Sequence, residues 1–165
     1  MRAKRSRGGA RGGGRRGAGA RPRDGARARV PASLSPARLI AEAEQARAHA
    51  HAPYSRFSVG AALLTRDGRV IRGCNVENAS FGLSICAERN AVWKAVSQGD
   101  RDFVAVAVTA GPDGGASPCG ACRQVLQEFA PDLVVYWKDG RGRVLREKLS
   151  RLLYRPFVYP RRKAR

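Results

Sequence analysis

Residues 86–110 read CAERNAVWKAVSQGDRDFVAVAVTA, and this stretch decides the architecture. In its first half Ala91, Val92, Ala95 and Val96 recur at helical spacing, and Gly99 stops the last turn. Its second half, DFVAVAVTA, is apolar at nearly every position, the pattern of a strand buried on both faces. A helix running directly into a central strand is the repeating unit of an α/β sheet.

The neighbouring segments extend that pattern. Upstream, FSVGAALLTRDGRVIRGCNVEN (57–78) reads as a hairpin of two β-branched runs joined around Asp67-Gly68. Before it, a first helix is predicted across PASLSPARLIAEAEQARAHAHAP (31–53). Ser35 caps it, Pro36 takes the first helical position, Leu39, Ile40, Ala43, Ala46 and Ala50 share a face, and Pro53 ends the segment. Downstream come a helix in PCGACRQVLQEFAP (118–131), a strand in DLVVYWKD (132–139) and a short final strand and turn in GRVLREKL (142–149). The expected fold is α/β: a three-layer α/β/α sandwich around a mixed, mostly five-stranded sheet, with parallel pairing in its second half.

At 165 residues the chain holds one domain, and its formal charge is +19. Residues 1–29 carry eleven basic residues against one acid, and residues 161–165 add four more, so the part between is only mildly basic. The expected organisation is an Arg/Gly-rich tail over 1–32, a folded domain over 33–158 and a basic tail over 159–165. Residues 1–29 cannot bury enough apolar surface to offset their ordering entropy and are expected to be disordered. Three readings of them stay open. The native start lies downstream near Val30, as 27 Arg against 5 Lys and a single Met suggest; the tail is a solvated arm; or it contacts nucleic acid phosphates. No apolar run approaches the roughly 18 residues of a membrane span, and no secretory h-region is present, so a cytoplasmic setting is expected.

Four cysteines occur, at 74, 86, 119 and 122. Cys119 and Cys122 are one helical turn apart, and Pro118 and Gly120 put them at a helix start. Unpaired N–H groups there favour thiolate over thiol, and Cys86 opens another helix. Two converging helix starts would gather three thiolates around one borderline cation, for which zinc is the natural choice. Three protein ligands leave a fourth position for water, so Glu88, two residues beyond Cys86, becomes a candidate proton carrier. Arg89 and Arg123 stand beside ligands and are expected to offset the excess negative charge. The residues alone also permit a closed four-thiolate site including Cys74, with Glu88 a plain helix-start acid. His49 and His51 are expected at the surface.

Cys86-Ala87-Glu88 and Pro118-Cys119-Gly120-Ala121-Cys122, with APYSRFSVGAALL (52–64), GCNVENASFG (73–82) and SPCGACRQVLQEF (117–129), resemble the cytidine deaminases. The similarity is to their small three-cysteine, homotetrameric class and covers about residues 34–157. It implies the cytidine deaminase-like fold, one Zn²⁺ per subunit held by Cys86, Cys119 and Cys122, and a homotetramer acting on a nucleoside in pyrimidine salvage. It further implies that Glu88 takes a proton from the zinc-activated water, protonates N3 of the ring and relays a proton to the departing amine. Asn75, Val76 and Glu77 would line the ribose, with Asn75 and Glu77 bonding its hydroxyls, and Phe57 would pack on the pyrimidine. The Ala87 N–H and the Ser117 carbonyl would read the base edge and amine, Arg89 would support the metal, and Phe157 would reach a neighbouring subunit's site. Cys74 becomes a buried structural thiol.

The ending RLLYRPFVYP (151–160) lacks the Leu-Leu-Pro run common in that family, which leaves the register of Phe157 open by about a residue. Two other functions remain in view at this stage: a related deaminase of the blasticidin S type, and a non-catalytic zinc module binding nucleic acid through its basic arms. A polynucleotide-editing groove finds little support in the mildly basic core.

Overall fold

The structure is a computed structural model and describes residues 34–111 and 115–160. The expectations for the tail over 1–32 and the basic run 161–165 lie outside the described residues. The element order is α1 (Pro36–Arg47), β1 (Val59–Thr65), β2 (Val70–Cys74), a 3₁₀ turn (Phe81–Leu83), α2 (Ala87–Ser97), β3 (Phe103–Ala110), α3 (Gly120–Phe129), β4 (Val134–Lys138), β5 (Val144–Lys148) and α4 (Leu149–Leu152).

The five strands form one sheet in the order β2-β1-β3-β4-β5. The β1–β2, β1–β3 and β4–β5 pairs are antiparallel, whereas β3 and β4, joined by α3, run parallel. All eight residues of β3 are buried. Val106 and Val108 join Ala91, Val92 and Leu126 on one face of the sheet, while Ala105 and Ala107 meet Leu39, Ile40 and Ala43 of α1 on the other. Three layers result, with α2 and α3 on one side and α1 on the other. Each fully buried branched side chain of this core contributes about 1.5–3 kcal/mol.

Two glycines set how closely the helices approach. A Cβ on Gly60 would lie 2.0 Å from the Ala43 carbonyl oxygen of α1, and one on Gly73 would lie 2.4 Å from the Ala87 carbonyl oxygen of α2. Gly73 therefore lets the first turn of α2 rest directly on β2. Asn90 reinforces this seat, donating from Nδ2 to the Cys74 carbonyl at 2.9 Å.

Two local departures have physical causes. The first helix begins as its cap predicts, with the Arg38 N–H donating to Ser35 Oγ at 3.2 Å, but it stops at Arg47, leaving Ala50 outside. Residues 49–53 instead turn so that His51 pairs with the stretch after β2: its N–H donates to Asn75 O at 3.0 Å, and its carbonyl accepts from Glu77 N–H at 2.8 Å. These long-range bonds outweigh the local helical preference of alanine. At the other end, the expected strand forms as β5, and the chain then adds the short helix α4, whose Leu149 is completely buried.

Gly73→Val is expected to lower unfolding stability by about 1–3 kcal/mol through overpacking. Gly82→Ala, which meets nothing within 4 Å, is expected to leave stability unchanged. Parallel urea titrations measure both.

Candidate active site

The strand register brings the chemistry to one end of the sheet. Gly60, near the start of β1, pairs with Cys74 at the end of β2, and Val59 pairs with Ala110 at the end of β3. The segments before β1, after β2 and after β3 must therefore leave the sheet together. The segment after β2 leads into α2, and the one after β3 leads into α3.

Cys86 is the N-cap of α2 and Cys119 the N-cap of α3, both with extended backbone and neither spending its side chain on the helix. Cys122 lies in the first turn of α3 and is buried. The three sulfurs lie within 4.8 Å of one another, with 4.0 Å between Cys86 and Cys119. Tetrahedral zinc with Zn–S bonds of about 2.3 Å requires sulfurs about 3.8 Å apart. The donor set therefore fits zinc, and three thiolates at two helix starts are chemically suited to it. Cys74 stands outside the cluster and, contrary to expectation, is only half-buried, because it ends β2 at the rim of the sheet; its sulfur is directed to the His49 carbonyl at 3.3 Å. The closed four-thiolate arrangement is thereby excluded.

The thiols share their protons unequally. The hydrogen bond from Cys122, helped by Arg89, holds Cys86 down at about 5 from an ordinary 9.0. The same hydrogen bond, together with burial, pushes Cys122 up. Arg89 Nη2 donates to Cys86 Sγ at 3.3 Å and its guanidinium lies 6.0 Å from the Trp93 ring centre. Arg89 thus places its charge against one of the three sulfurs. Arg123 departs from expectation: it bonds no sulfur, and donates instead to the Pro118 carbonyl, the Leu152 carbonyl and Ser117 Oγ. Its side chain leaves α3 away from Cys122, toward the loop and α4.

Glu88 is the second residue of α2 and only 4% exposed. The extended backbone of Cys86 removes the roughly opposed directions that residues two apart would have inside a helix. Burial raises the Glu88 carboxyl above its ordinary range and the charge on Cys86 adds to that, against opposing contributions from its own backbone amide and from Cys122. A buried carboxyl with a raised pKa beside a metal site is poised to exchange protons.

A cavity of about 420 Å³ opens onto this cluster, and Phe57, Asn75, Glu77, Cys86, Glu88, Arg89, Ser117 and Cys119 all line it. Asn75 is 8% exposed, and its amide already accepts from Val59 N–H at 2.7 Å and donates to the Phe57 carbonyl at 2.9 Å. Glu77 accepts from the Tyr54 and Ser55 N–H groups and from Ser55 Oγ; the Ser55 hydroxyl chiefly holds its carboxyl below the ordinary range. Phe57 lies against Gly111, whose added Cβ would come 3.0 Å from its ring. Val76 is held by reciprocal backbone bonds to Ile85 at 3.0 Å, and Ala87 is fully buried behind the wall. Phe157 is 71% exposed and lies beside Gln127, Glu128 and Pro131, apart from this cavity.

Sequence reasoning missed Ser55, Ser84 and Phe81, which also line the cavity. Phe81 packs edge-on against Tyr54 at 5.6 Å. No spacing rule links Ser55 to Glu77 across 22 residues; only the pairing of the two loops does.

The cytidine and deoxycytidylate deaminase zinc-binding region matches residues 35–138. Cytidine deaminase of Halalkalibacterium halodurans is 56% identical over 116 residues, covering 70% of this chain and 88% of that protein. The crystal structure of cytidine deaminase from Burkholderia pseudomallei superposes with a TM-score of 0.71 at 47% identity, covering 75% of this chain and 100% of that one. Blasticidin-S deaminase of Bacillus cereus is 30% identical over 115 residues, covering 65% of this chain and 80% of that protein. Fold and site together define a mixed α/β protein built around a three-thiolate zinc site. The chain belongs to the cytidine and deoxycytidylate deaminase zinc-binding family.

Cys74→Ser is expected to keep one zinc per chain, while Cys86→Ser and Cys119→Ser lose it on gel filtration; metal analysis reads all three. After zinc is stripped, Cys86 is expected to alkylate with an apparent pKa near 5. Its reactivity thus persists at mildly acidic pH, where an ordinary thiol is protonated, and falls only as pH drops through that value. Mass-resolved iodoacetamide labelling across pH measures it.

Proposed function

We propose that this protein hydrolytically deaminates cytidine and 2′-deoxycytidine, yielding uridine or 2′-deoxyuridine and ammonia. The observation that carries the reading is Glu88: a nearly buried carboxyl beside three gathered thiols, with the fourth cysteine turned elsewhere. Family membership supports the same reaction.

Zinc held by Cys86, Cys119 and Cys122 supplies Lewis-acid activation of a water when bound. Glu88 accepts a proton from the attacking water and donates one to ring N3, which makes C4 electrophilic. It then takes the proton of the new C4 hydroxyl and delivers it to the exocyclic amine, so that the C4 carbonyl forms as the C4–N bond breaks and ammonia leaves. The Ala87 N–H, one of the unpaired donors at the start of α2, and the Ser117 carbonyl hold the base edge. Phe57 covers the ring, and Asn75, Val76 and Glu77 form the ribose side. Asn75 and Glu77 retain acceptor capacity beyond their internal bonds, and Asn75 has a second amide hydrogen. Arg89 offsets the charge of Cys86.

The thiol site suits a reducing, cytoplasmic setting and a place in pyrimidine salvage. The working unit we assign is a homotetramer, in which Phe157 reaches a neighbouring subunit's site. Apolar groups standing clear of the domain support an assembly: Phe81, Leu83, Tyr154 and Phe157 are each more than 70% exposed. Sedimentation equilibrium tests it, and a monomer at micromolar concentration would refute the assembly.

The loss of cytidine absorbance in the ultraviolet tests the reaction, and a clear preference for blasticidin S over cytidine would overturn the substrate assignment. Glu88→Gln is expected to retain zinc and lose about 10²–10⁴-fold in kcat.

A further inference from the structure

Arg123 is heavily engaged beside the cavity, and its three partners come from two separate parts of the chain. Its Nε donates to the Pro118 carbonyl at 2.7 Å, Nη2 to Ser117 Oγ at 3.1 Å, and Nη1 to the Leu152 carbonyl at 2.7 Å. The first two belong to the loop that enters α3 and lines the cavity; the third is the last carbonyl of α4. The next residue on α3, Gln124, bonds Phe157 on both sides of its backbone. Its Nε2 donates to the Phe157 carbonyl at 2.8 Å, and its Oε1 accepts the Phe157 N–H at 3.2 Å. Two consecutive side chains therefore fasten both ends of the segment 152–157 to the helix that carries Cys122.

The loop needs this fastening. Gly115 bridges to Lys138, and Cys119 caps α3. Between them, among the described residues, the hydrogen bonds to Ala116–Pro118 all come from the Arg123 guanidinium. A planar fork with fixed donor directions can hold three acceptors at once, which a lysine ammonium on a flexible stem cannot reproduce in the same geometry. Arg123 makes no salt bridge among the described residues, so its charge-assisted bonds are spent wholly on backbone and hydroxyl oxygens.

The geometry points to Arg123 as a positioning residue that couples the C-terminal segment 152–157 to the base-reading wall of the cavity at Ser117–Pro118. This deepens the deaminase reading and rests on it for the identity of the substrate. Arg123 touches no reacting atom; it fixes the direction of the Ser117 carbonyl, and the C-terminal segment anchored through Leu152 and Gln124 resists its displacement. Loosening that segment should therefore loosen the wall of the site, through a contact between Arg123 and a carbonyl 29 residues further along the chain.

The test uses full-length, zinc-loaded protein, with backbone hydrogen exchange and steady-state kinetics on cytidine. Arg123→Lys and Arg123→Met are expected to speed exchange of the Ala116 and Ser117 amides and of Leu153–Phe157 together. KM should rise by about fivefold or more, with a smaller change in kcat and zinc still at one per chain. Gln124→Leu, which leaves the guanidinium in place, is expected to free the Phe157 amide and also speed exchange at Ala116 and Ser117. If Gln124→Leu or Arg123→Met loosens the C-terminal segment while the loop amides and KM stay at wild-type values, the coupling is overturned. Should the arginine variants fail to fold, Gln124→Leu decides alone. Should the wild type fail to turn over cytidine, the substrate assignment falls, while the exchange measurements still decide the coupling.

Discussion

The arrangement depends on one constraint: two helices must begin at the same point. Each helix start presents unpaired N–H groups and the positive end of a dipole, and here both starts are capped by cysteine. Sulfur-bearing residues at such positions lean toward thiolate, and three of them together demand a cation or a shared proton. The contrast between Cys86, held low, and Cys122, driven high, expresses that demand in the protein by itself. Cys86, Cys119 and Cys122 holding a zinc ion would have no need of the shared proton. Glu88, one position beyond the Ala87 that opens α2, sits beside this charge with little water to screen it.

Convergence of that kind needs a rigid platform, which the sheet provides. Small residues at particular positions allow it: Gly73 lets α2 settle on β2, and Ala105 and Ala107 let α1 cover β3. Asn75 then closes the end of the sheet with bonds to Val59 and Phe57, so the same residue that lines the cavity holds two of its walls. Glu77 does likewise for the turn at Tyr54 and Ser55. Side chains already restrained by internal bonds lose less freedom when a ligand arrives.

Legibility in the sequence followed the range of the interactions involved. The helix over Ala87–Ser97, the buried strand Phe103–Ala110 and the hairpin around Gly68 are set by residues a few positions apart, and each formed as its pattern implied. Chain segments governed by distant partners were harder to read. The end of α1 yields to the pairing of His51 with Asn75 and Glu77, and Arg123 serves a carbonyl 29 residues away instead of the adjacent sulfur. Ser55 entered the cavity through Glu77, with no local signal to announce it.

Sequence alone determined the kinds of chemistry available: three thiols and a carboxylate at helix starts, and a central apolar strand. Those follow from residue type and short spacing, which the chain carries wherever it folds. Tertiary structure decided which cysteine was excluded, which arginine served the sulfurs, and how deeply Glu88 was buried. Each of these depends on distances between segments that are remote in the chain, set by strand register and close helix packing. A thiol at position 74 and one at position 86 look alike in the sequence; the sheet turns one toward the His49 carbonyl and the other toward the cluster.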